Sequence, residues 1–433
     1  MAENKINKKK HVKVPQIRFN GYSDDWKERK LGELMEITSV KRIHQSDWTN
    51  NGIRFLRARD IVSASKGEEP SDYLYISEEK YEEYSKVSGK VQIGDLLVTG
   101  VGTIGVPMLV IHNDPLYFKD GNIIWFKNQS TMDGNFFYYS FIGMRIQKYI
   151  RDVAGIGTVG TYTIDSGKKT PISLPNIEEQ QKIGSFFKQL DNTIALHQRK
   201  LDLLKEQKKG YLQKMFPKNG AKVPELRFAG FADDWEERKL IDVKDNEDRY
   251  SYTGGPFGSD LKSSDYTEIG VRIIQLQNIG DGKFVNDYKI YTSEEKARSL
   301  NSNLIYPGEI IIAKMADPLA RATILPKIEP KYLMASDGIR LKINTDYFDN
   351  YYILTLINSD VFRKEALNNS TGTTRKRIGL VTLGNLPMMI PSFEEQQQIG
   401  SLFKQIDDTI ALHQRKLDLL KEQKKGYLQK MFV

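Results

Sequence analysis

Two long segments of the chain carry the same spacing of hydrophobic residues. Glu178–Phe216 and Glu394–Phe432 are identical except at four positions. In both, seam residues recur at alternating steps of four and three, the heptad spacing of a coiled-coil helix. The pattern therefore predicts two long helices, each needing a partner. The seam positions are Ile183, Phe187, Leu190, Ile194, His197, Leu201 and Leu204 in the first segment and Ile399, Phe403, Ile406, Ile410, His413, Leu417 and Leu420 in the second.

The most direct partner for each predicted helix is the other one. If the second helix returns antiparallel along the first, the two seams pair and the domains that precede them are held apart. Polar seam residues are then expected to fix register rather than to catalyse; they are His197, Lys208, His413 and Lys424. A simpler interpretation, that the helices serve only dimerisation, explains less, because the repeat extends beyond them.

The two halves of the chain also open alike. KVPQIRFNGYSDDWKERKL begins at Lys13 and KVPELRFAGFADDWEERKL begins at Lys222. Each opening leads into roughly 140–150 residues of mixed pattern, a normal domain size. Pro217 stops the first helix and Gly220 loosens the joint. We divide the chain into a basic tail (1–13), a first domain (14–175), a first helix (176–216), a linker (217–221), a second domain (222–391) and a second helix (392–433).

The two domains share a plan more than a sequence. IRFLRARDI from Ile53 and VRIIQLQNI from Val271 each predict a buried strand followed by a turn, and Ser77 and Ser293 are predicted helix N-caps. The insertions fall between these elements, where loops belong. The predicted fold class is α+β: two α/β domains separated by a long antiparallel two-helix coiled coil, with a pseudo-two-fold repeat. Different loops on one scaffold suggest one task performed on two targets.

Composition narrows the class of partner. Lys and Arg outnumber Asp and Glu by 64 to 56, for a formal net charge of +8, which favours a polyanionic partner. The chain has no cysteine, which excludes disulfides and thiolate metal sites and fits a reducing, cytoplasmic setting. No apolar run is long enough to span a membrane. The lysine-rich N-terminus has no apolar core behind it, so we expect a solvated tail rather than a signal peptide.

The search for catalytic chemistry finds none. Gly167-Lys168-Lys169-Thr170 lacks the earlier glycine of a phosphate-binding loop. Neither an Asn-Pro-Pro-aromatic nor an Asp-Pro-Pro-Tyr stretch is present, so the usual signature of amino-methyltransferases is missing. The five histidines have no metal-ligand spacing. We therefore expect no catalytic residue, no metal site and no bound cofactor in this chain.

The layout resembles the specificity subunit of type I restriction–modification enzymes. The residues that carry the resemblance are the two EEQQ(K/Q)IGS repeats, the stretch GPFGSDLKSSDYTEIGVRIIQLQNIG from Gly255 and the stretch GTTRKRIGLVTLGNLPMMIP from Gly372. The resemblance covers nearly the whole chain. It implies that 14–175 and 222–391 are target recognition domains, each reading one half of a split sequence in double-stranded DNA, and that the helices set the gap between them.

The resemblance also implies partner subunits. Two methyltransferase (modification) subunits are expected to dock on the helices, and translocase/nuclease (restriction) subunits are expected to join the complex. S-adenosylmethionine, ATP and Mg²⁺ are expected on those partners. The assembled complex would then act as a site-specific deoxyribonuclease and an adenine-N6 DNA methyltransferase.

Residues that contact DNA are predicted from side-chain chemistry. Arg pairs with guanine and Asn or Gln with adenine, whereas Lys, Ser and Thr suit phosphates. The run TGTTRKR is the densest basic loop. Four residues that follow the matched strands also fit a structural role, because alternation could bury some of them: Arg57, Arg59, Gln275 and Gln277. The predicted DNA-binding residues are Lys41, Arg42, Arg57, Arg59, Thr99, Thr103, Thr161 and Tyr162 in the first domain and Arg249, Tyr250, Tyr252, Ser259, Lys262, Gln275, Gln277, Lys314, Arg321, Thr374, Arg375, Lys376 and Arg377 in the second.

Two other functions remain open on sequence alone. A free-standing DNA-binding regulator would use the same domains without a methyltransferase. A coiled-coil scaffold would bind proteins at its end domains, and its interactions would lack the steep salt dependence of phosphate contacts.

Overall fold

The computed structural model describes residues 14–154, 160–218 and 220–433. The predicted basic tail, 1–13, lies outside the described residues. The chain forms two compact units. Unit 1 holds the described residues up to Gln198 together with Arg415–Val433, and unit 2 is Arg199–Gln414. Each unit therefore contains half of each long helix. The ends of both long helices pack into the hydrophobic cores of the units.

Unit 1 contains short strands and helices before the first long helix. Its strands are β1 (Lys27–Lys30), β2 (Glu36–Thr38), β3 (Trp48–Thr49), β4 (Ile53–Leu56), β5 (Leu74–Ile76), β6 (Leu96–Thr99), β7 (Pro107–Leu109), β8 (Leu116–Phe118), β9 (Ile123–Lys127) and β10 (Pro171–Leu174). Its helices are α1 (Leu31–Leu34), α2 (Ala58–Ser65), α3 (Glu78–Ser88), α4 (Gly134–Ile142), α5 (Met144–Val153), α6 (Ile164–Lys169) and the first half of α7 (Ile177–Lys214), with a 3-10 turn at Gln45–Asp47.

Unit 2 follows a similar order of elements, with 3-10 turns at the places of α1 and α2 and one additional strand, Leu304–Ile305. Its strands are β11 (Glu236–Lys239), β12 (Tyr252–Gly254), β13 (Tyr266–Thr267), β14 (Val271–Ile274), β15 (Ile290–Thr292), β16 (Leu304–Ile305), β17 (Ile310–Ala313), β18 (Ala322–Ile324), β19 (Tyr332–Met334), β20 (Gly338–Leu341) and β21 (Pro387–Ile390). Its helices are α8 (Glu294–Ser299), α9 (Asn350–Ile357), α10 (Asp360–Asn368), α11 (Leu380–Gly384) and the first half of α12 (Phe393–Lys430). Its 3-10 turns are Leu240–Val243, Ser263–Asp265, Leu276–Asn278 and Asn301–Asn303.

The sheets of the two units have the same strand order. In unit 1 the order β2-β9-β6-β7 is antiparallel throughout, and it matches β12-β20-β17-β18 in unit 2. A second sheet, β3-β5-β4-β8, matches the first four strands of β13-β15-β14-β19-β16, and the pairs β4-β8 and β14-β19 are parallel. In unit 2, β16 adds a fifth strand beside β19. A two-stranded sheet, β1-β10 or β11-β21, joins the opening of each half to the strand before its long helix. The predicted repeat of one α/β scaffold is confirmed.

Local signals explain several element boundaries. The hydroxyl of Ser77 accepts the backbone N–H of Lys80, and that of Ser293 accepts the N–H of Lys296, so both are N-caps as predicted. The second glutamate of each EEQQ repeat, Glu179 or Glu395, also has a structural role. Glu179 lies fully buried at the start of α7 and accepts two hydrogen bonds from Arg18, at 2.7 and 2.8 Å. Glu395 binds Arg227 in the same way in unit 2.

In each unit the two long helices run antiparallel. In unit 1 the Phe186 ring lies 5.1 Å from that of Tyr427, and Lys424 pairs with Asp191 at 2.5 Å. Residues later in α7 therefore contact residues earlier in α12, which makes the two helices antiparallel. In unit 2 Lys208 pairs with Asp407 at 2.6 Å. Lys208 and Lys424 thus make equivalent ion pairs across the helices, consistent with the predicted role in register.

The predicted seam is the sheltered face of both helices. Ile183, Phe187, Leu201, Leu204, Ile399, Phe403, Ile406 and Leu417 are buried. The remaining seam positions, Leu190, Ile194, His197, Ile410, His413 and Leu420, are half-buried.

Glycine allows each long helix to approach its own domain closely. A Cβ on Gly184 would lie 2.3 Å from Asp133 Oδ1, and one on Gly400 would lie 2.1 Å from Asp349 Oδ1. These aspartates cap α4 and α9 by accepting the N–H groups of Phe136 and Tyr352. The helix and the cap therefore fit together only without a side chain. Within the described ranges, no helix is long and apolar enough to cross a membrane.

Candidate nucleic-acid interface

Several loops of unit 2 converge at one end of its four-stranded sheet. Strands β12 and β17 finish at the end where β20 and β18 begin, because neighbouring strands are antiparallel. The loops 255–262, 314–321 and 335–337 therefore meet there. The loop 371–377 joins them through a bridge between Met315 and Arg377. We call these four loops the basic end of unit 2.

Hydrogen bonds hold the basic end together. The Lys314 N–H donates to Asp337 O at 3.0 Å, and the Ile378 N–H donates to Lys314 O at 2.9 Å. The Arg377 guanidinium donates to Asp337 Oδ1 at 2.5 Å. A further bond, Ala335 N–H to Ile274 O, brings the turn that starts at Gln275 to the same place. Residues far apart in sequence thus form one surface.

A groove of about 740 Å³ runs along this surface. Five cationic side chains line it, against two carboxylates, Asp317 and Asp360. The groove is therefore suited to a polyanion. The cationic side chains are Arg321, Arg363, Lys364, Arg375 and Lys376.

The opposite end of the same sheet is acidic. A second groove there is lined by Asp245, Glu247, Asp248, Glu309 and Asp346. Several of these carboxylates are paired internally, since Arg340 binds both Asp248 and Glu309 at 2.7 Å. The two ends of the sheet thus differ in the balance of charge: this groove has five carboxylates and two cations, Arg340 and Lys342, whereas the groove at the basic end has more cations than carboxylates. A nucleic acid would be attracted to the basic end.

Unit 1 has a matching end. The Val101–Thr161 bridge occupies the place of Met315–Arg377, and the Arg42 guanidinium meets Asp120 at 2.8 Å. The turn after β4 lies next to the end of β8, because the Lys119 N–H donates to Leu56 O. Part of the neighbouring loop, residues 155–159, lies outside the described residues. Five predicted residues are exposed at this end: Lys41, Arg42, Arg59, Thr103 and Thr161.

In unit 2 most predicted residues come together at the basic end. Lys314, Arg321 and Gln275 are half-buried there. Arg321 lines the groove, and its Nη2 donates to Leu276 O at 2.9 Å. The exposed members are Ser259, Lys262, Gln277, Thr374, Arg375, Lys376 and Arg377.

Three predictions in unit 1 need correction. Thr99 is fully buried, and its hydroxyl donates to Thr103 O at 2.5 Å and accepts from the Val106 N–H. Tyr162 is buried with its hydroxyl on Thr170, and burial raises its pKa. The Arg57 guanidinium donates hydrogen bonds to the carboxylates of Asp60 and Asp72 and to the carbonyl oxygen of Asp72. All three side chains stabilise loops; the two hydroxyls are buried, and the Arg57 side chain is only 15% exposed.

Three predicted residues of unit 2 lie away from the basic end and stay predictions. Arg249 and Tyr250 precede β12, and Tyr252 begins it, so they lie at the other end of that strand from the basic loops. The Tyr252 hydroxyl donates to Leu380 O at 2.8 Å, and burial raises its pKa.

Sequence reasoning missed three residues at the basic end. Arg363 and Lys364 lie on α10 and enter the groove only through the tertiary fold. Phe257 is 81% exposed in the loop Gly-Pro-Phe-Gly. An aromatic residue between glycines in a polar loop was the available signal for Phe257, because a side chain in such a loop has nothing to pack against.

The two units therefore define a class: a protein with two copies of one fold, each presenting its own loop cluster at the equivalent end. The family model "Type I restriction modification DNA specificity domain" matches the chain twice, over residues 23–206 and 233–422. The chain belongs to this family, as the sequence resemblance indicated.

Individual relatives of the chain are also specificity subunits of type I restriction enzymes. The type I restriction enzyme MjaVIII specificity subunit of Methanocaldococcus jannaschii is 24% identical over 260 residues, and the match spans 59% of each chain. The putative type I restriction enzyme MjaX specificity subunit of the same organism is 23% identical over 418 residues, which cover 93% of this chain and 91% of the relative.

A solved structure shows the same fold. The S subunit of the type I restriction–modification system from M. genitalium matches with a TM-score of 0.62 at 14% identity, over 97% of this chain and 99% of that one.

Proposed function

We propose that the chain is the DNA sequence-recognition subunit of a type I restriction–modification complex, in which each unit reads one half of a bipartite site. The observation that carries this proposal is the repetition of the loop cluster. Each unit presents its divergent loops at the same end of the same sheet, while the strands beneath keep one order. A conserved scaffold with divergent ends is what two readers of different half-sites require.

Charge supports DNA as the ligand. The basic end of unit 2 gathers Arg321, Arg363, Lys364, Arg375 and Lys376 around one groove. Cationic side chains at such a surface neutralise phosphates, and neighbouring polar side chains can then reach base edges.

The long helices have two proposed roles. As rigid elements of 38 residues each, they keep the two reading surfaces at a fixed spacing. They also offer apolar positions away from the seam: Leu196 and Leu419 in unit 1 are 66% and 57% exposed. Leu203 and Leu412 in unit 2 are similarly exposed, at 61% and 58%. Exposed leucines at helical spacing suit partner helices, and we assign them to two methyltransferase subunits.

The remaining partners follow from the family. Translocase/nuclease subunits would complete the complex, with S-adenosylmethionine, ATP and Mg²⁺ bound by the partner subunits. In this proposal the chain supplies no catalytic group. It directs the methyltransferase and deoxyribonuclease activities of the complex to one sequence, in the compartment that holds the DNA.

Two measurements test the proposal. A salt titration of DNA binding should show a steep loss of affinity, because each phosphate contact releases counterions; a flat response would favour the protein scaffold instead. Co-purification from the native host should recover a methyltransferase; tight specific DNA binding by the chain without one would favour a free-standing regulator.

A further inference from the structure

The turns that follow β4 and β14 are structurally equivalent. Both strands lie between an antiparallel and a parallel neighbour. In unit 1 Asp60 Oδ2 accepts the Arg57 N–H at 2.7 Å, and in unit 2 Asn278 Oδ1 accepts the Gln275 N–H at 3.0 Å. Each acceptor comes three residues after its donor. Position 57 therefore corresponds to 275, and Arg59 corresponds to Gln277.

The two arginines of the unit 1 turn differ in what they have left to donate. Arg57 is held by Asp60 and Asp72 and its side chain is only 15% exposed. The Arg59 side chain is 59% exposed, and only its Nη2 is anchored, at 2.5 and 2.7 Å from the two carboxylate oxygens of Asp72. Across the described part of the chain, Nε and Nη1 of Arg59 have no hydrogen-bond partner. Arg59 is thus oriented but still able to donate.

Asp72 is well suited to orient this arginine. It contacts both Arg57 and Arg59. The hydrogen bond from Arg57 is the largest cause that lowers the pKa of Asp72 to about 2, so the carboxylate stays charged at neutral pH. With Nη2 held by Asp72, the N–H groups on Nε and Nη1 remain to donate, and guanine offers acceptors at both O6 and N7 in the major groove.

The equivalent side chain in unit 2 has a different hydrogen-bonding pattern. Gln277 is exposed, and its Nε2 donates to Gln275 Oε1 at 2.8 Å. Its own Oε1 has no hydrogen-bond partner among the residues that the structure describes. The amide therefore presents one acceptor and a second N–H donor. Adenine offers the complementary pair in the major groove, a donor at N6 and an acceptor at N7.

We propose that Arg59 reads a guanine in one half-site and Gln277 reads an adenine in the other, with Asp72 as the positioning residue for Arg59. The inference rests on the proposed DNA-recognition function and specifies its chemistry. The two units would use one backbone position for different bases, so part of the difference between the half-sites would come from a single substitution on a common turn.

The experiment selects sequences from a library of randomised DNA duplexes, using the full-length chain together with its co-purifying methyltransferase subunits. Arg59→Gln should change one position of one half-site from guanine to adenine. Gln277→Arg should make the reverse change in the other half-site. At each position the preference for the original base should fall roughly 10- to 100-fold, the range for a bidentate contact. Arg29→Gln is the matched control, since Arg29 is an exposed arginine of unit 1 on β1, and it should leave the motif unchanged.

Asp72→Asn tests positioning. It should widen base preference at the Arg59 position alone, and Asp72→Glu should restore part of it. A general loosening of unit 1 would instead weaken its whole half-site.

The outcomes separate the two claims. If the wild-type complex selects no bipartite sequence, the proposed function is wrong. If it selects one, but Arg59→Gln and Gln277→Arg leave both halves unchanged, the proposed function stands and the base assignment is wrong. Thermal unfolding of each variant shows whether a weakened preference reflects impaired folding.

Discussion

A methyl group placed on Gly400 should destabilise unit 2 through one specific collision. The added Cβ would lie 2.1 Å from Asp349 Oδ1 and 3.0 Å from the Tyr352 nitrogen. Asp349 cannot simply swing aside, because its Oδ1 accepts the Tyr352 N–H at 2.7 Å and so caps α9. Gly400→Ala must either displace that cap or push α12 away from the domain.

The magnitude follows from the two costs. Losing an N-cap costs about 1 kcal/mol, and overpacking a tight site costs typically about 1–3 kcal/mol. The substitution also gains about 1 kcal/mol because alanine favours helix more than glycine does. Gly210→Ala is the matched control, since Gly210 is also helical and in unit 2, and its Cβ would meet nothing within 4 Å. Because both variants share the helix gain and Gly400→Ala incurs one of the two costs, they should differ by about 1–3 kcal/mol in the free energy of unfolding of unit 2.

Hydrogen exchange followed by mass spectrometry across a denaturant series measures this difference. It resolves peptides of unit 2 from those of unit 1, which matters because a chain with two units need not unfold in one step. Gly400→Ala should lower the unfolding midpoint of unit 2 peptides, and Gly210→Ala should leave it unchanged or raise it. Equal midpoints for the two variants would refute the close approach of α12 to the cap of α9.

Three further predictions address charge and spacing. Arg227→Met leaves the Glu395 carboxylate buried without its partner and should lower the free energy of unfolding by about 3–5 kcal/mol. Arg238→Met breaks an exposed ion pair and should lower it by under about 1 kcal/mol. Chemical denaturation measures both values, and similar losses for the two variants would count against the buried pair. Replacing both Arg375 and Lys376 by alanine should reduce the salt slope of DNA binding by about 0.9 for each phosphate that is no longer neutralised, and an unchanged slope would place the DNA elsewhere. Inserting one heptad into both α7 and α12 adds about 10 Å at ~1.5 Å per residue, so the preferred gap between half-sites should lengthen by about three base pairs; an unchanged gap would reject the spacer role.

The regular parts of the fold were predictable because they follow local rules. The heptad pattern found both long helices, and their bounds in the structure, Ile177–Lys214 and Phe393–Lys430, fall within the predicted ranges. The serine caps followed from the preference for a hydroxyl at an N-terminus. Polar seam residues predicted register contacts, and Lys208 and Lys424 do pair across the helices.

Other features depended on packing that no local pattern reveals. The repeated glycines of the long helices are explained only once Asp133 and Asp349 are seen against them. The same holds for the predicted site residues. Thr99 and Tyr162 have side chains typical of DNA contacts, yet their hydroxyls bind groups inside unit 1. Arg363 reaches the groove from a helix, so its place could not be inferred from the basic loop.

The claim that each unit reads its own half-site is tested most directly by a domain exchange. Residues 36–170 would be replaced by the equivalent segment of another family member, and the sequence selected by the complex, or methylated in the host genome, would be determined before and after. The account predicts that one half-site changes while the other half-site and the gap stay the same. A change in both halves, or a recognised sequence that is one uninterrupted block, would contradict it.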